Sequence, residues 1–161
     1  MIKCIIIDLD GTLVNTSALE EFRAQRLWRE IYDHLHLCTP YKEVVDVLDT
    51  ARAAGIKVGI FTNSPSKYVD HVLKHFNISV DYVVAFHDVQ NHKPASDGVE
   101  KILKYFGLDC SEAVYLGDTD DDSTAASIAN VEFFAVDWGQ ISNVEKSHLG
   151  VSRLLEHIGT G

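Results

Sequence analysis

Positive charge is scarce in this chain: 14 lysines and arginines stand against 24 aspartates and glutamates in 161 residues, a formal net charge of −10. Nucleic acid is held by cations on phosphates, so an acidic chain with no basic stripe is expected to have no nucleic-acid partner. Long apolar runs are missing as well. None approaches the roughly 20 residues that cross a bilayer, and no signal-peptide pattern precedes the first apolar run. No membrane association is therefore expected, and the cytoplasm is the expected location. The three cysteines, Cys4, Cys38 and Cys110, are odd in number and lack zinc-ligand spacing, so they read as reduced thiols. No Gly-x-Gly-x-x-Gly follows any candidate strand, which counts against a dinucleotide-binding enzyme. Repeats and low-complexity segments are absent. A hydrophobic content of 46% fits one domain over residues 1–161 with a substantial core and no second module.

What is present begins with Ile5-Ile6-Ile7, which runs into Asp8-Leu9-Asp10-Gly11-Thr12-Leu13. A β-branched run of this kind reads as a buried strand of a parallel sheet, and the carboxyl ends of such strands form the ligand crevice. Alternate residues on a strand share a face, so Asp8 and Asp10 are expected to point the same way, with Gly11 turning the backbone away. Two like charges that close are costly unless a cation binds them or one stays protonated. The pair reads as a metal site, or as a nucleophile beside an acid; the plainer alternative is one helix-capping Asp and one solvated Asp.

Three further strand ends carry matching groups in order. Ile56–Phe61 ends in Thr62-Asn63-Ser64; Val83-Val84-Ala85-Phe86 is followed by His92-Lys93-Pro94; Ala113–Leu116 ends in Gly117-Asp118-Thr119-Asp120-Asp121-Asp122. The set resembles the four motifs of the haloacid dehalogenase (HAD) superfamily of aspartate-nucleophile phosphohydrolases, from Ile2 to about Trp138. Asp8-x-Asp10-Gly-Thr looks like the first motif, Thr62 the second, Lys93 the third, and Asp118 with Asp122 the fourth. Within the superfamily the chain looks like a phosphoglycolate-phosphatase-type member with a reduced cap.

The chemistry of these groups gives each an expected role. A carboxylate can attack phosphorus and become an aspartyl phosphate, and Asp8, first off the strand, is the candidate nucleophile. Asp10 would protonate the leaving oxygen and then deprotonate the attacking water. Thr62 and the Asn63 backbone N–H, at the start of the next helix, would donate to the phosphate, and Lys93 would supply a fixed positive charge. Asp118 completes with Asp8 an oxygen-rich set suited to Mg²⁺. The resemblance implies that Asp10 lends the metal its backbone carbonyl. It also favours Asp122 as the second acid of the last motif, holding a metal-bound water or Lys93, while Asp120 and Asp121 read as charges at a helix N-terminus.

The layout predicted is α/β: a doubly wound, mainly parallel sheet with a Rossmann-like core and a short helical insert over residues 14–38. Thr39-Pro40 is expected to cap a helix with Val44, Val47, Leu48 and Ala51 inward, and Ser64-Pro65 to start one with Val69, Val72, Leu73 and Phe76 inward. A third helix runs from about Ala95 to Phe106, a fourth follows Asp122, and Glu132–Val136 is the last strand. In the insert, Ser17-x-x-Glu20 reads as a capping box opening a helix with Ala24, Leu27, Trp28, Ile31 and Leu35 on one face. Leu19 and Phe22 fall on another face, which implies a bend near Arg23 or two contact surfaces. The apolar stripe must lie on the main body, on substrate or on another protomer, so a homodimer through the insert is one expectation. Arg23, Arg26 and Arg29 are expected to form a solvated face, the alternative being that one of them contacts an anionic substrate. His71 and His75 are spaced for zinc but lack a third ligand, and read as surface residues; His34 and His36 have no clear partner, and His92 orients or caps the Lys93 loop.

The expected function is a Mg²⁺-dependent phosphatase acting on a small phosphorylated substrate. Phosphoryl transfer to another hydroxyl, as in the family's sugar-phosphate mutases, is the alternative within enzymology, and a non-catalytic binding module on the same fold is the alternative outside it.

Overall fold

The computed structural model describes residues 1–140 and 150–159. Strand β1 (Cys4–Ile7) is four consecutive side chains with no exposure, which requires cover on both faces of the sheet. The chain turns at Gly11 (φ 78°) and forms β2 (Val14–Asn15). Two short helices follow, α1 (Glu20–Ala24) and α2 (Trp28–Asp33), before β3 (Thr39–Pro40) pairs antiparallel with β2. Helix α3 (Lys42–Ala53) leads to β4 (Lys57–Phe61), α4 (Ser66–His75) to β5 (Tyr82–Val84), and α5 (Asp97–Phe106) to β6 (Ala113–Thr119). Helix α6 (Asp120–Ile128), β7 (Glu132–Gln140) and α7 (Gly150–Gly159) follow.

The main sheet is parallel throughout, in the order β5-β4-β1-β6-β7, as expected of a doubly wound fold. The period of two along β1 divides the core. Ile5 and Ile7 join one cluster with Val44, Val47 and Leu48 of α3, Val69 and Val72 of α4, and Leu154 of α7. Cys4 and Ile6 face the other, with Val99 and Ile102 of α5 and Ala125 of α6. From β1 the chain winds outward through β4 and β5, then returns to build β6 and β7 on the other side. The crevice of such a sheet lies at that reversal, beyond the carboxyl ends of β1 and β6. Among the described residues, no helix is long and apolar enough to cross a membrane.

The predicted helices and strands of the main body are present, with ends that differ by a few residues; the fourth helix starts at Asp120, so Asp122 lies in its first turn. The insert differs more. Ser17 does not cap a helix: residues Ser17–Leu19 form a 3-10 turn, and the Ser17 hydroxyl donates to Asn15 Oδ1 at 2.7 Å. The expected single stripe is cut by Arg26, whose φ of 56° ends α1 three residues beyond the bend anticipated at Arg23. The rotation buries Leu19, Ile31 and Leu35 and leaves Ala24 and Leu27 exposed. Thr39-Pro40 forms β3 instead of a cap, and Tyr41 precedes α3. A proline is tolerated there because a two-stranded ribbon has a free edge to take the missing N–H.

The insert's buried apolar groups lie on the main body of the same chain. Leu19, Ile31 and Leu35 belong to the α3/α4/α7 cluster, and Tyr32 stacks on His71 with ring centroids 3.8 Å apart. His71 is thus partly covered by an insert ring, and His75 packs edge-on against Phe76.

In the other cluster, one close approach joins α5 to the carboxyl end of β4. Gly98, in the first turn of α5, lies against the Phe61 ring at the end of β4, where an added Cβ would collide with ring carbons. Gly98→Ala is expected to destabilise the protein by about 1–3 kcal/mol through overpacking, read as a lower urea midpoint at unchanged slope. An unchanged midpoint would show that Phe61 has room to move.

Candidate active site

Lys93 reaches the sheet from the loop after β5, and its side chain is only 5% exposed. Its Nζ donates to Asp8 Oδ1 at 2.8 Å and to Asp122 Oδ1 at 2.7 Å, and sits 5.1 Å from the centroid of the Phe61 ring. Burial works against the ammonium charge, but the two carboxylates outweigh it and hold Lys93 above the usual lysine value. Asp122 has no exposure. Burial opposes its charge too, yet Lys93 and the hydroxyls of Tyr115 and Thr119 hold its carboxyl below the usual range. Its oxygens are fully engaged: Oδ1 accepts from Lys93 and Tyr115, and Oδ2 from Thr119 Oγ1 and the main-chain N–H groups of Asp118 and Thr119. Gly117 makes this possible, because a Cβ there would lie 2.6 Å from that of Asp122.

Asp8 and Asp118, at the tips of β1 and β6, complete the cluster. The carboxylates of Asp8, Asp118 and Asp122 offer oxygens all within 4.8 Å of one another. Burial, then Asp122, push the Asp8 carboxyl well above its ordinary value, with Lys93 opposing. Burial pushes Asp118 up as well. Thr12 donates to Asp118 Oδ1 at 2.8 Å.

The Asp10 carboxylate is not in this group. It faces the insert: Oδ1 accepts from Tyr68 at 2.6 Å and Thr16 at 2.8 Å, and Oδ2 from Ser64 at 2.7 Å. Arg23 Nη1 lies 3.2 Å from Oδ1, and its guanidinium rests 5.4 Å from the centroid of the Tyr68 ring. The expected solvated face therefore fails at Arg23, because the break at Arg26 lets α1 lay this side chain across the crevice.

Thr62 is buried directly after β4, and its hydroxyl accepts from Ser64 N–H at 3.0 Å, which leaves the hydroxyl proton for another partner. Asn63 is not at a helix start, since α4 begins at Ser66. Its side-chain amide instead pairs with the Lys93 main chain, accepting from N–H at 3.1 Å and donating to the carbonyl at 3.4 Å. His92 stacks on Phe86 at 3.9 Å, and its Nε2 donates to the Phe86 carbonyl. Both contacts position the loop that carries Lys93. Beside the acids opens a cleft of about 530 Å³, bounded by Asp10, Asp118, Asn15, Arg23, Tyr41 and Trp138. Trp138 donates its indole N–H to the Gly11 carbonyl at 2.9 Å and stacks on Tyr41 at 4.2 Å.

The profile of the haloacid dehalogenase-like hydrolases matches residues 17–136. The chain belongs to that family. It is 35% identical over 107 residues to a pyrophosphatase PpaX of Bacillus velezensis, a match covering 65% of this chain and 50% of that protein. It is 27% identical over 184 positions to the pyrophosphatase PpaX of Bacillus pumilus, covering 85% and 84%. With a phosphoglycolate phosphatase of Escherichia coli it shares 28% identity over 101 residues, 62% of this chain and 40% of that one. The chain thus spans about half the length of the Bacillus velezensis relative. The crystal structure of CbbY from Rhodobacter sphaeroides in complex with phosphate shares the fold, with a TM-score of 0.76 and 18% identity over 91% of each chain. So does a HAD-superfamily hydrolase of Geobacter sulfurreducens, with a TM-score of 0.69 and 21% identity over 92% of this chain and 98% of that one.

A divalent cation suits the donor set of this HAD-type crevice. Three clustered carboxylates share one ammonium, so the group is short of positive charge when all three are ionised. Asp8 and Asp118 carry hard oxygen donors, whereas those of Asp122 are taken by Lys93, Tyr115, Thr119 and backbone. Arg23, Ser64, Tyr68 and Tyr115 had not been singled out as contacts of the acids. Only Asp122 carried a local sign, Thr119-x-x-Asp122, a capping box in which Thr119 Oγ1 accepts from Asp122 N–H at 3.2 Å.

Asp122→Asn would remove the ammonium's second carboxylate and turn amide hydrogens toward N–H donors. It is expected to cost about 3–5 kcal/mol of stability in urea unfolding, as for a broken buried pair. A cost below about 1 kcal/mol would show that Asp8 alone holds Lys93.

Proposed function

We propose that this protein is a Mg²⁺-dependent phosphatase that hydrolyses a small phosphate monoester through an aspartyl phosphate on Asp8. The observation that carries this reading is the buried Lys93 ammonium fixed between Asp8 and Asp122, with Asp118 alongside. Such a group of charges costs desolvation energy that a purely structural site has no use for.

An Asp8 oxygen attacks phosphorus, and the ester P–O bond breaks as Asp10 gives its proton to the leaving oxygen. Water then attacks the aspartyl phosphate and loses a proton to Asp10, and the P–O bond to Asp8 breaks, releasing phosphate and the free carboxylate. Lys93 and the Thr62 hydroxyl neutralise charge on the phosphoryl oxygens and hold them in line. Asp122 keeps Lys93 in place. Asp8, Asp118 and the Asp10 backbone carbonyl would hold Mg²⁺, which supplies further charge neutralisation when bound.

Residues 14–38 serve in this reading as a reduced cap. The alignment with the Bacillus pumilus relative runs over 184 positions, more than the 161 residues here, so that relative carries residues without counterpart in this chain. Among the described residues the insert's cover is α1, α2 and their turns, which exclude water less fully than a helical bundle.

Asp8→Asn should lose at least about a thousandfold in turnover of p-nitrophenyl phosphate while retaining the wild-type circular dichroism spectrum. Near-wild-type turnover would remove Asp8 as nucleophile. Chelation of divalent ions should abolish hydrolysis, Mg²⁺ should restore it, and Ca²⁺, with its longer and looser coordination, should restore it poorly. In titration calorimetry Asp118→Ala should bind Mg²⁺ at least about tenfold more weakly; unchanged affinity would take Asp118 out of the metal site.

A further inference from the structure

Arg23 is the only cation among the described residues lining the cleft beside the acids, where Asp10, Asp118 and Glu20 supply negative charge. Its hold on Asp10 is slight. A single nitrogen approaches, at 3.2 Å, and the bonds to Thr16 and Ser64 are both 3.4 Å long. A guanidinium has five donors in a planar fork, and this one does not meet its carboxylate through the two-pronged geometry it favours. The side chain is one-third exposed on the cleft side and is steadied from behind by the Tyr68 ring. Asp10 does not depend on it, since Tyr68, Thr16 and Ser64 each donate to Asp10 at 2.8 Å or less. Arg23 can therefore exchange its partner without leaving a buried carboxylate unpaired.

We propose that Arg23 is the receptor for a second acidic group, carboxylate or phosphoryl, on the leaving portion of the substrate, and that this group takes the guanidinium from Asp10 when the ester binds. The inference rests on the phosphatase reading above and narrows it to monoesters that carry a second negative charge. One side chain of the insert thereby sets specificity and, in giving up Asp10, frees that carboxyl to face the leaving oxygen.

Two matched comparisons with the purified protein in Mg²⁺ test this. Phosphoglycolate is set against 2-hydroxyethyl phosphate, which replaces the carboxylate by a neutral alcohol, and ethylene glycol bisphosphate is set against the same neutral ester. Wild type should favour at least one of the two charged tails by about ten- to a hundredfold in kcat/KM, chiefly through KM, as expected for a charge-assisted pair. Arg23→Ala should bring that ratio to near parity, and Arg23→Lys, a point charge without the fork, should fall between. Parity in wild type for both comparisons overturns the proposal, and so does a preference that survives Arg23→Ala. An equal loss on charged and neutral esters also overturns it, by showing that Arg23 only clamps the insert. If Arg23→Ala fails to fold, the wild-type ratio and its fall in Arg23→Lys decide. Hydrolysis of none of these esters, nor of p-nitrophenyl phosphate, by wild type would instead sink the phosphatase reading itself.

Discussion

A lysine ammonium buried between two carboxylates is the interaction on which the rest of this structure depends. Lys93 joins the tip of β1, through Asp8, to the first turn of α6, through Asp122. Neither charge could be carried so far from water without the other, and the surroundings are built to keep them paired. Asp122 is held by five donors on its two oxygens, the Asn63 amide and His92 fix the loop that delivers Lys93, and the Phe61 ring lies beneath the ammonium. Two glycines let the acids approach. Gly117 leaves space for Asp122, and Gly11, at positive φ, leaves space for Asp118, which an added Cβ would strike.

The second acid of the opening motif lives in a different electrostatic environment. Asp8 is surrounded by like charges and one ammonium, whereas Asp10 is surrounded by hydroxyls and a guanidinium contributed partly by the insert. Two carboxylates two residues apart, just beyond the end of β1, are thus set apart by what packs on each, which in the proposed mechanism lets one strand tip supply both a nucleophile and a proton carrier. The insert takes part in the site as well as covering it, and it is bound to the body by apolar packing at Leu19, Ile31 and Leu35.

The main-body fold was legible because its signals are local. Apolar runs ending in Asp8, Thr62 and Asp118, with helices of 3.6-residue period between them, specify parallel strands and place their chemistry at one edge. The insert was less legible because its structure turns on a single residue, Arg26, in a left-handed conformation that no periodicity announces. With the helix broken there, Leu27 changed from a core position to an exposed one and Leu19 became fully buried. Thr39-Pro40 carried the composition of a helix start, and its pairing with Val14-Asn15 outweighed that local preference.

The alternation of strands and helices into a mainly parallel sheet, and the placing of Asp8, Thr62, Lys93 and Asp118 at or after strand ends, follow from the amino-acid sequence alone, since strand and helix periods act over a few residues. The order β5-β4-β1-β6-β7 is set by packing. Spacing left Asp120, Asp121 and Asp122 open, and the family resemblance favoured Asp122, the acid whose carboxylate meets Lys93. That this acid holds Lys93, where the Asp10 carboxylate turns, and that Arg23 lies across it were decided only by tertiary packing. Those contacts join segments far apart in the chain, and their distances come from how helices seat on the sheet, which no local pattern encodes.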